Sequence, residues 1–280
     1  MNLALTHISV SHPAARPGAP TVLKDLSLQL AAGEQAAIIG PSGAGKTTLL
    51  HAMACALKPS SGELLFNSQN PWKLSARALR HLRGQLFLAP QTPPMPQRQR
   101  VITSVLAGKL AHQSLFASVR SLFYPNDIAA AETALAHFDL ADKLWDRVDR
   151  LSGGERQRVG LARAMVSQST LWLVDEPLSA LDPTRAQRSI SALVRLAAQS
   201  NITLVASLHQ VQAALDHFPR IIGLRDGVIQ FDCAAALVTK AMLDALYAQH
   251  EDELIEPLVA TDDSGHASER KTLPAVMHCR

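Results

Sequence analysis

Apolar positions along this chain follow two periods, and the changes between them mark out its architecture. Residues 21–30 (TVLKDLSLQL) alternate apolar with polar positions, and residues 3–10 do so in part. Period two is that of a half-buried strand. The segment between them, SHPAARPGAP, carries the prolines and glycine of a connector. Residues 35–39 (QAAII) form a short apolar run that stops at Gly40, the pattern of a parallel strand buried on both faces. Helical spacing follows from residue 46 to about 57, and KPSSG closes it. Further strands are predicted at 170–174 (TLWLV), 203–207 (TLVAS) and 221–224 (IIGL), with a helix over 183–199 between the first two. Residues 234 to about 250 read as a terminal helix.

A different pattern interrupts this alternation. TPPMPQRQR, residues 92–100, is a proline-rich basic loop, and residues 101–151 are mainly helical, with one break at Pro125. The expected fold is therefore α/β. It has a mostly parallel sheet, antiparallel strands at the N-terminus and a helical subdomain inserted at about 92–166. The domain is expected to run over residues 1–250. Residues 251–280 are polar and aperiodic and read as a loose tail.

Composition narrows the function classes. Of 280 residues, 47% are hydrophobic, enough for a large core. The net charge of +3 suits anionic ligands and is far below that of a dedicated nucleic-acid binder. Cys55, Cys233 and Cys279 have no short paired spacing, so neither a disulfide framework nor a zinc site is expected, and a reducing compartment is. The eleven histidines form no HExxH pattern. The N-terminus lacks the pattern of a secretory signal. No run reaches the ~18 apolar residues of a membrane span, so the chain alone is not expected to cross a bilayer, which leaves open that it docks on a protein that does.

Two motifs carry chemistry. GPSGAGKT, residues 40–47, follows a predicted strand and opens a predicted helix, the context a G-x-x-x-x-G-K-[ST] phosphate loop requires. Backbone N–H groups of Gly40, Pro41, Ser42, Gly43, Ala44 and Gly45 and of the residues that follow (proline excepted, having none) would wrap phosphate oxygens, Thr48 included. Lys46 would reach the terminal phosphates, and Thr47 would offer its hydroxyl to Mg²⁺. LWLVDEP, residues 171–177, places two carboxylates at the C-terminal end of a buried strand, where ligands bind in open α/β sheets. Asp175 would hold Mg²⁺ through water, and Glu176 would act as general base.

A third stretch, LSGGERQRV at residues 151–159, brings in a resemblance. It is similar to the signature motif of ATP-binding-cassette (ABC) ATPases. SALD at 179–182 resembles the D-loop of that family, Gln91 stands where it has its Q-loop glutamine, and His209 where it has its switch histidine. The likeness covers about residues 1–232. It implies ATP and Mg²⁺ as ligands, with Gln91 sensing the metal and water and His209 holding Glu176 and the γ-phosphate. It also implies a head-to-tail homodimer in which Ser152, Gly153, Gly154 and Asp182 of one chain face the nucleotide of the other. The bare glycines would let backbone N–H groups reach a γ-phosphate, while Arg156 and Arg158 are read as a solvated helix face. The chain departs from the family where an aromatic residue usually stacks on adenine, for His12 stands there.

A single cassette without a coiled-coil insertion or a membrane segment resembles the motor subunit of a bacterial importer. Implied partners are membrane permease subunits, with Met95, Phe123 and Tyr124 as candidate contacts, and indirectly a periplasmic solute-binding protein. Nucleic acid is not implied. The implied place is the cytoplasmic face of the plasma membrane. SVLAGKL, SVRSLFYP, SLHQV and the late LDALY are similar to ATPase subunits of phosphonate importers. Another small solute, a stand-alone regulatory or nucleic-acid-linked ATPase, and a phosphate-loop kinase stay open at this point.

Overall fold

The computed structural model describes residues 1–11, 21–124 and 126–248. In chain order the elements are β1 (Leu3–Ser11), β2 (Thr21–Leu30), β3 (Gln35–Ile39), α1 (Lys46–Met53), β4 (Ser61–Phe66), α2 (Ala76–Gly84), β5 (Leu86–Ala89), α3 (Val101–Leu106) and α4 (Leu115–Phe123). Then come α5 (Ile128–Ala136), α6 (Gly153–Val166), β6 (Leu171–Asp175), α7 (Pro183–Gln199), β7 (Thr203–Ser207), α8 (Val211–His217), β8 (Arg220–Arg225), β9 (Val228–Ala234) and α9 (Lys240–Leu246).

The strands form two sheets. One is antiparallel, in the order β2-β1-β4. The other has the order β5-β6-β7-β3-β8-β9, parallel throughout except for the β8/β9 pair. Strands β3, β6 and β7 are buried at every position, as their unbroken apolar runs predict. Their side chains alternate between two cores. Ala37 and Ile39 of β3, with Trp172 and Val174 of β6, face a core shared with helices α3, α5, α6, α7 and α8. Ala36, Ile38, Leu171 and Leu173 face a second core shared with the antiparallel sheet and α1. The parallel sheet is thus the middle layer, and the C-terminal ends of β3, β6 and β7 lie side by side.

Local chemistry accounts for the boundaries. In β2, Leu23, Leu26, Leu28 and Leu30 are buried, while Lys24, Asp25, Ser27 and Gln29 are exposed. Helix α7 starts at Asp182, whose side chain accepts the Arg185 N–H, and has Pro183 at its first position. Ala186, Ile190, Leu193 and Ala197 supply its buried stripe.

The inserted helices α3, α5 and α6 pack on one another and share the first core with the sheet. In this packing the reading of Arg158 needs correction. It is not part of a solvated face but is buried at 4% exposure, with Nη1 donating to the carbonyls of Phe138 (2.6 Å) and Asp139 (3.4 Å). Burial also pulls its guanidinium pKa downward. Arg158 staples α6 to the turn that follows α5. Arg156 is half-buried and donates to the Leu151 carbonyl at 2.8 Å.

The C-terminal region also differs from expectation. Residues 228–234, for which no element is expected before the helix start at 234, are a strand, because Asp226 and Gly227, both at positive φ, make a two-residue hairpin turn between β8 and β9. The last helix is shorter than the 234–250 expected. It begins at Lys240, where the Thr239 hydroxyl accepts the Met242 N–H. Helix α1 likewise ends at Met53 rather than near residue 57, and Cys55 follows at φ +53. The expected tail, 251–280, lies outside the described residues, as does Cys279. Cys55 is a core side chain whose thiol burial pushes up to about 12.

Arg158→Ala would leave the Phe138 carbonyl buried without its donor, a loss of about 1–3 kcal/mol. The melting temperature is expected to fall by roughly 5 °C in a thermal scan, given about 2–4 °C per kcal/mol for a domain of this size.

Candidate functional site

The edge formed by the ends of β3, β6 and β7 collects the residues of both chemical motifs. The phosphate-loop segment leaves β3 at Gly40 and enters α1 at Lys46. Gly40 has φ +149, and a Cβ there would lie 1.9 Å from the Leu224 carbonyl oxygen, so only glycine fits. The loop folds back on its own cation. Lys46 is buried, and its Nζ donates to the carbonyls of Gly40 (2.6 Å) and Pro41 (3.1 Å). Ser42, Gly43 and Thr47 are exposed at the mouth, with Thr48 half-buried behind them. An exposed glycine loop running into a helix N-terminus, with a lysine lying across it, has the donors and the positive field that a polyphosphate needs.

Asp175 closes one side of this mouth. It is buried at 5% exposure, and both carboxylate oxygens are used: Oδ2 accepts from Thr47 Oγ1 at 2.9 Å, and Oδ1 from Ser207 Oγ at 2.6 Å. The Thr47 hydroxyl and the Asp175 carboxylate therefore share one spot beside the loop. Hard oxygen donors of this kind suit Mg²⁺, which keeps several of its waters. No group of three or more His, Cys, Asp or Glu side chains able to hold a metal occurs among the described residues. The donor set fits an ion bound jointly with phosphates rather than in an all-protein cage.

Glu176 stands next to it and is held from three directions. His209 Nε2 lies 2.5 Å from Oε1, and Gln91 Nε2 donates to Oε2 at 2.6 Å. The backbone N–H of Glu176 donates to the Ser207 hydroxyl at 3.0 Å and to its carbonyl at 3.2 Å. Glu176 itself has φ +47, a left-handed conformation that a non-glycine residue keeps only where its surroundings enforce it. Gln91, taken from sequence as a metal and water sensor, is thus placed with its amide nitrogen on Glu176.

LSGGERQRV begins α6. Ser152 caps the helix: its Oγ accepts the Glu155 N–H at 3.2 Å, and Glu155 Oε2 accepts the Ser152 N–H at 2.7 Å, a complete capping box. That bond to the Ser152 N–H holds the Glu155 carboxyl below its ordinary pKa. The charge at Glu155 therefore belongs to the helix start. The two glycines have different reasons to be there. A Cβ on Gly154 would sit 2.6 Å from the Ala180 carbonyl oxygen and 2.8 Å from Leu181 Cδ2, so the D-loop segment requires glycine at 154. A Cβ on Gly153 would meet only Ala180 Cβ, at an ordinary 3.7 Å. Asp182 caps α7 and takes no part in the Asp175–Glu176 cluster.

Three residues of the site had no role assigned from sequence. Gln157, inside the signature stretch, is buried. Its Nε2 donates to the Glu176 carbonyl (2.7 Å) and to Ser179 Oγ (3.1 Å), and its Oε1 accepts the Ala180 N–H (3.2 Å). Ser207 bridges Asp175 and Glu176, and its only sequence signal is a hydroxyl at the end of the strand next to β6. Tyr247 reaches Gly40 from the far end of the chain. His12, expected near the adenine, lies outside the described residues.

With this geometry in view, comparison with known proteins is decisive. The family model for ABC transporters matches residues 23–179. The chain belongs to the ABC transporter family. Among curated proteins it is 63% identical, over all of both chains, to the phosphonates import ATP-binding protein PhnC 2 of Albidiferax ferrireducens. It is 60% identical, again over all of both, to the PhnC protein of a Polaromonas strain. For PhnC of Pseudomonas putida the figure is 50%, over 84% of this chain and 88% of the relative. Solved structures share the fold. The ATP-binding cassette MJ0796, in a dimeric post-hydrolysis state bound to ADP and Pi, aligns with TM-score 0.71 at 23% identity over 83% of this chain and 98% of its own. A nucleotide-free cassette from an ABC transporter aligns with TM-score 0.70 at 20% identity over 90% and 97%. The α/β expectation with a mostly parallel sheet and antiparallel N-terminal strands holds. No helix among the described residues is long and apolar enough to cross a membrane.

The two signature glycines can be separated by substitution. Gly153→Ala is expected to leave the melting temperature of the isolated ABC subunit within about 1 °C, in line with an exposed site free of clashes. Gly154→Ala must displace backbone at Ala180 and should lower it by several times that amount. Equal melting temperatures for the two variants would contradict this packing.

Proposed function

We propose that the chain is the ATP-hydrolysing motor of an importer for phosphonates. The observation that carries the ATPase reading is the position of Glu176. It lies at the end of β6, held by Gln91 and His209, beside the Thr47–Asp175 pair at the mouth of the phosphate loop. The names of the relatives at 60–63% identity over the whole chain support phosphonates as the cargo.

In this reading the N–H groups of residues 40–48 (Pro41, which has none, excepted) and the Lys46 ammonium bind the β- and γ-phosphates of ATP. Thr47 and Asp175, with Gln91 nearby, would hold Mg²⁺, which supplies charge neutralisation on the phosphates. Glu176 accepts a proton from the attacking water as its oxygen bonds to the γ-phosphorus and the bond to the ADP oxygen breaks. His209 and Gln91 keep the Glu176 carboxylate aimed, and His209 donates toward the γ-phosphate. His12 is proposed to stack on the adenine. A second copy, head to tail, contributes Ser152, Gly153 and Gly154, with Asp182 at the same interface. The open side of Gly153 supports this arrangement, because nothing within its own chain requires glycine there.

The partners proposed are permease subunits, which place the chain at the cytoplasmic face of the membrane, and through them a periplasmic phosphonate-binding protein. Helix α4 exposes Leu115 (82%) and Phe116 (79%), and Tyr124 just beyond it is 72% exposed. An apolar patch of this kind marks a contact surface. Met95 is a weaker candidate, since it packs against the core. The Phe123 side chain is outside those described.

Glu176→Gln is expected to bind ATP, to elute as a dimer when ATP is present, and to turn over about 10²–10⁴-fold more slowly than the parent. Normal turnover by this variant would remove Glu176 as the base. Cargo is tested separately, by reconstituting the chain with its permease and binding protein in vesicles. Phosphonates should stimulate ATP hydrolysis severalfold. Stimulation by phosphate or phosphite but not by phosphonates would reject the cargo while leaving the motor intact.

A further inference from the structure

The family match ends at residue 179, yet one contact to the phosphate loop comes from far beyond it. The hydroxyl of Tyr247, in the LDALY stretch, accepts the backbone N–H of Gly40 at 3.1 Å. The pairing of β3 with β8 stops at Ile39 and Gly223, and that with β7 at Ile38 and Ser207. The Gly40 N–H therefore emerges just past the end of the ladder, in the interior, where an unmet donor is costly. On its other side Gly40 is pressed against the Leu224 carbonyl. The entry to the loop is gripped between the backbone of β8 and a phenol.

The phenol is itself rigidly placed. Tyr247 is 1% exposed and Leu246 fully buried, both in the core that contains Trp172 and Ala37. Helix α9, which delivers them, is tied to β8 by Arg225, whose Nη1 donates to the Ala245 carbonyl at 2.6 Å. Strand, hairpin and helix from 220 to 247 thus return the chain to the start of the loop, 207 positions upstream in sequence.

We propose that Tyr247 is a positioning residue for nucleotide binding. By accepting the Gly40 N–H it sets the path of the loop as it leaves β3, so the affinity for ATP depends on the C-terminal helix. The proposal rests on the reading of residues 40–47 as the nucleotide site. It adds that this site is completed from outside the motif, through a hydroxyl and not merely through aromatic packing.

The test uses the full chain with Tyr247→Phe, which keeps the ring and removes the acceptor. Dissociation constants for ATP and ADP, and KM for ATP, should rise about tenfold, because part of the binding energy then goes into holding the loop on the path that Tyr247 otherwise sets. The value of kcat should stay within about twofold. Nucleotide affinity and KM unchanged, with only a lowered melting temperature, would overturn the proposal, because that is all a packing role predicts. If Tyr247→Phe does not fold, Arg225→Met loosens α9 from β8 without touching the core. It should raise KM in the same direction, and an unchanged KM would again overturn the idea. Lys46→Ala separates the two readings. Loss of nucleotide binding in that variant, with none of the expected change in the Tyr247 and Arg225 variants, rejects only the role of Tyr247. Full binding by Lys46→Ala rejects the nucleotide site itself.

Discussion

The functional site depends on one junction, the turn at Asp175 and Glu176 where β6 runs out. A parallel strand buried on both faces cannot carry charge along its length, so its carboxylates gather at the C-terminal edge. There, neighbouring strand ends supply the hydrogen bonds that make ionised groups tolerable. Ser207 at the end of β7 serves both acids, accepting the Glu176 N–H and donating to Asp175. The left-handed backbone of Glu176 turns the second carboxylate away from the first, so one meets Thr47 and the other meets Gln91 and His209. Two adjacent acids thus acquire different surroundings, which is what distinct roles at one site require.

The same junction is connected to the inserted helices. Gln157 reaches from α6 to the Glu176 carbonyl and to Ser179 and Ala180, while Gly154 at the start of α6 packs on the Ala180 carbonyl. Gln91 reaches the same glutamate from the opposite direction, out of the loop that leads into α3. Movement of α6 or of that loop relative to the sheet would change the setting of Glu176 directly. If Glu176 is the base, as proposed, hydrolysis and the position of the helical insert are linked through the side chains of Gln157 and Gln91, with no long relay needed.

Much of this was legible in the chain itself, for identifiable reasons. The buried parallel strands declare themselves as unbroken apolar runs, and GPSGAGKT and DE sit at their ends, so the sheet edge could be located from period and motif together. Strands β4 and β5 and helix α8 were not read because they are short and only partly buried, and helix α2 because its one apolar side, Ala78, Leu79 and Leu82, spans barely more than a turn between basic residues. The β8–β9 hairpin was not read although Asp226-Gly227 is a strong turn signal, because β9 alternates exposed with half-buried positions and buries none of them fully. Arg158 misled because a guanidinium on a helix is usually solvated. Its neighbours Val159, Leu161 and Ala162 are buried, so it lies inside the apolar stripe and needed acceptors, which the turn after α5 supplies. Ser207, Gln157 and Tyr247 could not be assigned from pattern, because their partners are distant in sequence and a hydrogen bond leaves no periodic trace.

The signature glycines show how far a single chain can explain its own sequence. Gly154 has a reason inside the molecule, the approach of Ala180, and would be required even in a subunit that never met another. Gly153 has no such reason, since a Cβ there would meet only Ala180 Cβ at an ordinary 3.7 Å, next to an exposed, helix-capping Ser152. In the proposed function this helix N-terminus, with a bare α-carbon at Gly153, receives an anion. The anion that fits the proposed function is the γ-phosphate held on another copy. On that account the two positions answer to different selection: one to the packing of the D-loop within the fold, the other to a surface that exists only when two chains close on ATP.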